Sequence, residues 1–524
     1  MAQKSLKTPQ TNTPEDFFWP YNHKEIQNCL ERWVDELCDL AFEIQKSQGP
    51  LKSALNGGEI ILINILKWQP VMVQALQTLI LKQGFEKATT EAPIDPETMH
   101  FWQAYINTEK PLTDGRYVKA LLKGPPKEPV WKTSLKFLRD KMQGRAVLCK
   151  PGFLYNPVKD LTLTVSYAVA EKYCQKNQKR GVYLGLENWF SGVDEKGITG
   201  KNDPVIEQVL SITWKHISAT CVLEERMKTW VERQIRLGYL ITAHLAEETL
   251  RKPQVLPKRL VAGITAPWAI LFRYLVRKNA GHVTVLDHGA GAALTFPKTT
   301  YLNYLLGSNV FYTYTGYAAE HYIENLKRQT RFPLDNIEIK DYKTFKPVSK
   351  EPTLSAQPKK ILLIPFYDMR DYNLSYGYPA WKQSIDFNQR LVENLKALGY
   401  DVTLKFHPEF YVAPEAELKE LYGCPVINRP FEQIMDEYGC IVTCDANSST
   451  FISIILKEKP CIIFDFLGFA ERSLKADMEQ RLEIIPVEVT PQNRLAPKEY
   501  LSEKHFERAR EKAAHQNLKA LYVQ

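Results

Sequence analysis

The sequence holds no uninterrupted run of the ~18 apolar residues that a membrane-crossing helix needs. Its best candidate, Ile60-Ile61-Leu62-Ile63-Asn64-Ile65-Leu66-Lys67, is soon cut short by charge. Residues 1–16 are polar and carry no apolar core of a secretion signal. Among the nine cysteines, at 29, 38, 149, 174, 221, 424, 440, 444 and 461, there is no C-x-x-C, and the count is odd. That argues against a disulfide framework and predicts buried free thiols in a reducing compartment. Cys440 and Cys444 lie in an apolar run, which favours core packing over metal binding. Zinc-finger spacing, an RNP-type aromatic motif and a basic helix are absent, and the net charge of +8 is spread along the chain. Nucleic acid is therefore not an expected partner; diffuse positive charge suits an anionic substrate or a membrane surface. There is no Walker A lysine, no H-E-x-x-H, no D-x-D and no Ser-His-Asp order. The expected chemistry uses neither a metal nor a bound cofactor. The expected location is the cytoplasm.

What is present is enough chain for two or three domains, with 524 residues of which 44% are apolar. Residues 1–20 read as a disordered arm. Residues 21–143 have helical periodicity, strongest over 25–48 and 60–83, and contain no catalytic constellation. From 144 the texture alternates. Strands are expected at 145–149, 181–187, 260–264, 283–287 and 310–314, and helices at 161–178, 204–219, 223–250, 268–277 and 317–327. Residues 341–359 are polar and carry three prolines, so they read as a linker. A second strand–helix set runs through 360–466, and a charged helix ends the chain in 501–524. The expected fold class is α/β: two Rossmann-like domains, 144–340 and 360–500, facing a cleft, with an extra helical N-terminal region.

Four stretches can carry chemistry. In Val402-Thr403-Leu404-Lys405-Phe406-His407-Pro408-Glu409 an apolar run stops at a His-Pro pair. Pro408 ends the ladder and holds His407 out of helical geometry, so an imidazole is presented at a strand end. Lys405, two residues back, belongs to the same side of the strand. The plain alternative is a strand followed by a proline turn. Next, Asp445-Ala446-Asn447-Ser448-Ser449-Thr450 lies between an apolar run and a helical one. Ser448 or Ser449 can cap that helix, where free N–H groups and the positive dipole end favour a phosphate. An ordinary cap is again the plain alternative. Together, an imidazole at one strand end and a hydroxyl-rich helix start at a neighbouring one can hold a phosphate, since ligands of open α/β sheets sit outside the carboxyl ends of strands.

The third stretch, Leu286-Asp287-His288-Gly289-Ala290-Gly291, is also a strand end. Asp287 suits a base or nucleophile and His288 an acid, base or phosphate contact. Its glycines form only a fragment of G-x-G-x-x-G, because Leu294 stands where the last glycine belongs. The fourth is the loop from Asp368 to Tyr378, where Arg370 is placed to read a base or sugar, with Glu187 as a weaker substrate candidate.

Lys405-Phe406-His407-Pro408, Asp445 to Thr450 and Lys459-Pro460-Cys461-Ile462-Ile463-Phe464 resemble the C-terminal half of bacterial surface-polysaccharide transferases of the GT-B fold, over about 110 of the 524 residues. Two branches are similar. One uses CMP-activated 2-keto sugar acids such as Kdo or sialic acid, with a His-Pro and a Ser-Ser/Thr motif. The other comprises CDP-glycerol-type polyol phosphotransferases with K-x-H-P and D-x-S-S. In the first branch the His-Pro histidine contacts CMP and the Ser/Thr motif holds its phosphate. The resemblance thus assigns nucleotide binding to His407 and to Ser448, Ser449 and Thr450, beside Lys405, Pro408 and Asp445. The polyol branch often carries an acid shortly after its Ser-Ser, and Phe451 to Leu456 has none, which favours the sugar-acid branch. Capsule β-Kdo transferases place an acid in a Glu-Asp-Gly context at an N-terminal-domain strand end. Asp287-His288-Gly289 departs from that, so the role of Asp287 and the stereochemistry stay open. The resemblance implies a nucleotide-sugar donor, a glycan or glycolipid acceptor and a setting compatible with peripheral contact at the inner membrane. An epimerase or hydrolase on the same fold, and a non-catalytic assembly scaffold, are the competing expectations.

Overall fold

A computed structural model of the chain describes residues 23–48, 55–91, 147–148, 162–165, 181–184, 203–251, 256–262, 267–287, 301–313, 315–328, 337–341, 359–365, 381–406, 415–444, 449–465, 475–490 and 494–515. The N-terminal part is helical. α1 (His23–Gln48) buries Ile26, Leu30, Trp33, Leu37 and Ala41, one stripe at three- and four-residue spacing. α2 (Gly57–Glu91) has no such stripe: the consecutive residues Ile60, Ile61, Leu62 and Ile63 are all buried. The first turns of α2, apolar on nearly every side, must be enclosed. α1, α3 (Pro204–Ser218), α4 (Glu225–Leu250) and α5 (Pro267–Lys278) enclose it.

Local chemistry fixes where α2 starts and how closely it is packed. Asn56 Oδ1 accepts from the Glu59 N–H at 2.8 Å, and Glu59 Oε2 accepts from the Asn56 N–H at 2.9 Å, a reciprocal cap. Lys278 of α5 closes on Glu59 at 3.0 Å. Gly58 lets α1 approach: a Cβ there would lie 2.1 Å from the Ala41 carbonyl oxygen. No helix among the described residues is long and apolar enough to cross a membrane.

The first sheet has seven parallel strands in the order β1-β3-β2-β4-β5-β6-β7. They are β1 (Val147–Leu148), β2 (Thr162–Val165), β3 (Gly181–Leu184), β4 (Arg259–Ala262), β5 (His282–Leu286), β6 (Val310–Thr313) and β7 (Glu338–Asp341). The order reverses between β2 and β4. Two expectations need correcting. Residues 162–165 form a strand where a helix over 161–178 was expected: Thr-Leu-Thr-Val alternates with period two and is rich in β-branched residues. Asp341 ends a strand instead of opening a linker, since Glu-Ile-Lys-Asp is a polar edge strand of the kind that resists further pairing. The helix from β6 to β7 is α6 (Gly316–Arg328).

The second sheet runs β13-β12-β11-β10-β8-β9. Its strands are β8 (Lys360–Ile364), β9 (Asp401–Leu404), β10 (Cys440–Thr443), β11 (Cys461–Asp465), β12 (Glu483–Val489) and β13 (Leu495–Pro497). Only β12 with β13 is antiparallel. Val426 adds a parallel bridge outside Leu404. Read from Val426 through β9, β8, β10, β11 and β12, this is the Rossmann order, with its switch between β8 and β10. Sequence reading ended the set near 466 and missed β12 and β13.

Parallel sheets are covered on both faces. On one face Leu362, Ile364, Ile441 and Ile463 pack with α9 (Ser449–Leu456) and α10 (Lys475–Arg481); on the other Ile361, Leu363, Val442 and Ile462 pack with α7 (Trp381–Ala397), α8 (Glu415–Tyr422) and α11 (Glu503–Lys512). The chain is thus an α/β protein with two Rossmann-type sheets in tandem, the make-up of a GT-B-like fold. Seven of the nine cysteines are described, and all seven are buried free thiols.

Candidate functional site at the carboxyl ends of the two sheets

In the second sheet three strands end at one level. Leu404 is in register with Leu363, and Ile364 with Thr443. The Lys405 N–H donates to the Leu363 carbonyl at 2.9 Å, and the Cys444 N–H to the Ile364 carbonyl at 3.1 Å. Lys405, Ile364 and Thr443 therefore form one row across the edge. Strand alternation puts all three on the face of α9, because Leu404, Leu363 and Val442 face the other way.

Ser449 and Thr450 are the first two residues of α9. The first N–H groups of a helix have no partner within it and carry its positive end. At the far end, the buried Arg481 donates to the carbonyl of Ile454, in the last turn of α9, and to that of Lys459 just beyond it, at 3.1 Å each. One expectation is corrected: β9 and β10 are not neighbours. β8 lies between them, so their ends are about 10 Å apart, two strand spacings. A ligand reaching from one to the other crosses the end of β8, at the switch point.

Lys405 is only 5% exposed. Its Nζ donates to the Phe406 carbonyl at 2.7 Å, which turns the ammonium toward the carboxyl edge. Burial pulls its pKa below the usual lysine value, and the charge of Glu432 partly opposes that.

The first sheet has a matching edge. Asp287 follows β5 and is 4% exposed; its N–H donates to the Tyr312 carbonyl at 2.9 Å. Register places it level with Thr313, which pairs with Asp341 on β7. Thr313 Oγ1 donates to the Thr315 carbonyl at 3.0 Å, and Thr315 Oγ1 accepts from the Ala318 N–H at 3.1 Å. Thr315 thus caps α6 one strand away from Asp287. Sequence reasoning missed Thr313, Thr315, Asp341 and Thr443. A threonine just before a helical run was a readable signal for Thr315.

Of the residues singled out in the sequence, Lys405 follows β9 and Ser449 and Thr450 open α9, with β8 between the two strand ends, and Asp287 follows β5 of the first sheet. His407, Pro408, Asp445, Ser448, His288, Arg370 and Glu187 lie outside the described residues. Among the described residues no group of three or more His, Cys, Asp or Glu side chains is placed to hold a metal ion.

No family model matches the chain, and no curated protein matches it. A solved structure described as a UDP-N-acetylglucosamine 2-epimerase from Listeria monocytogenes is similar at 10% sequence identity. The match covers 68% of this chain and 91% of that one, with a TM-score of 0.35. A likeness at that level carries no argument about this chain's activity.

Proposed function

We propose that the chain is an enzyme of sugar-nucleotide chemistry, a glycosyltransferase that moves a 2-keto sugar acid such as Kdo or a sialic-type acid from CMP to a bacterial surface glycan. One observation supports it most. The strand ends that precede the His-Pro and Ser-Ser/Thr motifs lie level around the switch point of a Rossmann-ordered sheet, where such sheets take nucleotides.

In this reading the α9 N–H groups and the hydroxyls of Ser448, Ser449 and Thr450 hold the CMP phosphate, with His407 and Lys405 beside it. Charge builds on that phosphate as the bond from the sugar carbon to its oxygen breaks. Fixed donors there stabilise the leaving group without a metal. The acceptor docks on the first domain, across the cleft. Asp287 or His288 takes the acceptor hydroxyl proton as the new bond forms, or Asp287 acts as nucleophile. Arg370 and Glu187 are assigned to the substrate.

The test is a thermal-shift screen against CMP, CDP, UDP, GDP and NAD, since a ligand that binds only the folded state raises the melting temperature. The expected result is stabilisation by CMP that disappears in His407→Ala. Stabilisation by UDP instead, or turnover of the nucleotide sugar without an acceptor, points to an epimerase or hydrolase. No response to any nucleotide points to a scaffold.

A further inference from the structure

We propose that Arg481 is the positioning residue of α9. By tying the C-terminal end of that helix to the lead into β12, it fixes where the helix start presents its N–H groups. The proposal rests on the nucleotide reading above for what that start holds; Arg481, at the opposite end, acts through the helix.

α9 is only eight residues long. A helix that short has little stability of its own, so tertiary contacts set its placement. Phe451, Ile452, Ile454, Ile455 and Leu456 are all buried. Apolar burial is non-directional. It holds the helix on the sheet without fixing its rotation or its position along its own axis. Directional contacts gather at the C-terminal end. The Lys459 N–H donates to the Ile454 carbonyl at 3.1 Å and the Glu458 N–H to the Ile455 carbonyl at 3.2 Å. This is a Schellman turn, with Glu458 in the left-handed region at φ +54°. Lys457 and Lys459 both pair with Asp436 of the turn Met435–Glu437. Arg481 Nη2 joins the two sides of the Schellman turn, the Ile454 carbonyl before it and the Lys459 carbonyl after it.

Two observations set Arg481 apart from the other contacts. It is the last residue of α10 and stands two before Glu483, which opens β12 in register with Ile462 of β11. Its backbone is therefore referenced to the sheet, and its side chain carries that reference to the helix. It is also a costly residue to place there. The guanidinium is fully buried, and among the described residues its Nε and Nη1 have no hydrogen-bond partner and no carboxylate lies at ion-pair distance. An apolar side chain of similar volume is often the more stable choice at such a position, but it would give up this directional link. A short helix moves as a unit, so a slip of about 1 Å at Ile454 is the same slip at Ser449 and Thr450. Misplacement on that scale costs on the order of a hundredfold in a preorganised site.

The experiment compares the wild type with Arg481→Met and Arg481→Lys by thermal melting, by amide hydrogen exchange without ligand and by calorimetric titration with CMP. Arg481→Met should melt at or above the wild-type temperature, because it removes a buried charge. Its α9 amides should exchange on the order of tenfold faster while those of β10 and β11 keep their wild-type rates, and its CMP affinity should fall on the order of tenfold or more. Arg481→Lys, which keeps a donor for one of the two carbonyls, should fall between. A residue that only packs would give a lower melting temperature and faster exchange across β10, β11 and β12 together; that result overturns the proposal. So does CMP binding of wild-type strength in Arg481→Met, which leaves the nucleotide reading standing. If the wild type binds no CMP, the nucleotide reading falls and the exchange of α9 alone decides: faster exchange confined to α9 upholds the role of Arg481, and unchanged exchange refutes it. Should Arg481→Met fail to fold, Arg481→Lys is judged by the same exchange.

Discussion

Gly58→Ala should destabilise the protein although alanine is the better helix former. The new Cβ would lie 2.1 Å from the Ala41 carbonyl oxygen, 3.0 Å from its carbon and 2.9 Å from Gln45 Cγ. The glutamine can rotate away; the carbonyl belongs to the middle of α1 and cannot. Relief requires α1 and α2 to separate by about 1 Å along a contact that packs Ile61, Ile65 and Trp68 against neighbouring helices. Overpacking of this kind costs ~1–3 kcal/mol, and a clash with backbone belongs at the upper end. Helix propensity returns at most ~1 kcal/mol, less in the first turn. The net loss is about 2 kcal/mol, or roughly 4–8 °C in the melting of a unit of 150–250 residues. Two domains need not melt together, so calorimetry should assign the shift to one transition. Gly399→Ala is the control. With φ at +79° and nothing within 4 Å of its Cβ, it carries backbone strain without a clash, worth ~1–2 kcal/mol, and it should shift the transition of the second domain instead. A Gly58→Ala protein that melts within 1 °C of the wild type would refute the close-packing argument.

Further predictions concern buried charge in the second domain. Burial pushes the Glu483 carboxyl up, but hydrogen bonds from Arg508 and Lys512 outweigh it and hold the pKa below the usual glutamate value. A depressed folded value gives stability that is present above the unfolded pKa, ~4.3, and is lost as pH falls through the lower folded one. Wild type should therefore lose its advantage over Glu483→Gln in denaturant melts taken downward from pH 5; a constant gap would contradict this. Asp386→Asn leaves Arg390 and Arg494, 16% and 10% exposed, without their shared anion. A loss of ~3–5 kcal/mol is expected, read as a fall in the second-domain denaturation midpoint, and a change below 1 kcal/mol would count against the network.

The sequence made the helices and most strands legible because their periodicities are local. The Thr-Leu-Thr-Val strand was misread because short apolar runs suit either period. Glu338 to Asp341 escaped because an exposed edge strand is polar. Strand order was not legible at all. Nothing between Leu404 and Cys440 says that β8, made some forty residues earlier, lies between them. Parallel crossovers settle that in three dimensions. The candidate site was half legible: Asp287, Lys405 and the α9 start were found as strand and helix ends. The burial of Lys405 was not, because it depends on neighbours brought together only in three dimensions.

The enclosure of α2 has a consequence for synthesis of the chain. α2 is finished at Glu91, but two of the helices that cover it, α4 and α5, end only at Leu250 and Lys278. At ~5–20 residues per second, the roughly 190 residues from Glu91 to Lys278 take about 10–40 s to emerge. For that interval the nascent chain displays the apolar first turns of α2, Ile60 to Leu66, without the helices that cover them. Yield from slow or chaperone-poor translation should hinge on this helix, and reading-frame fragments that stop before Lys278 should be insoluble.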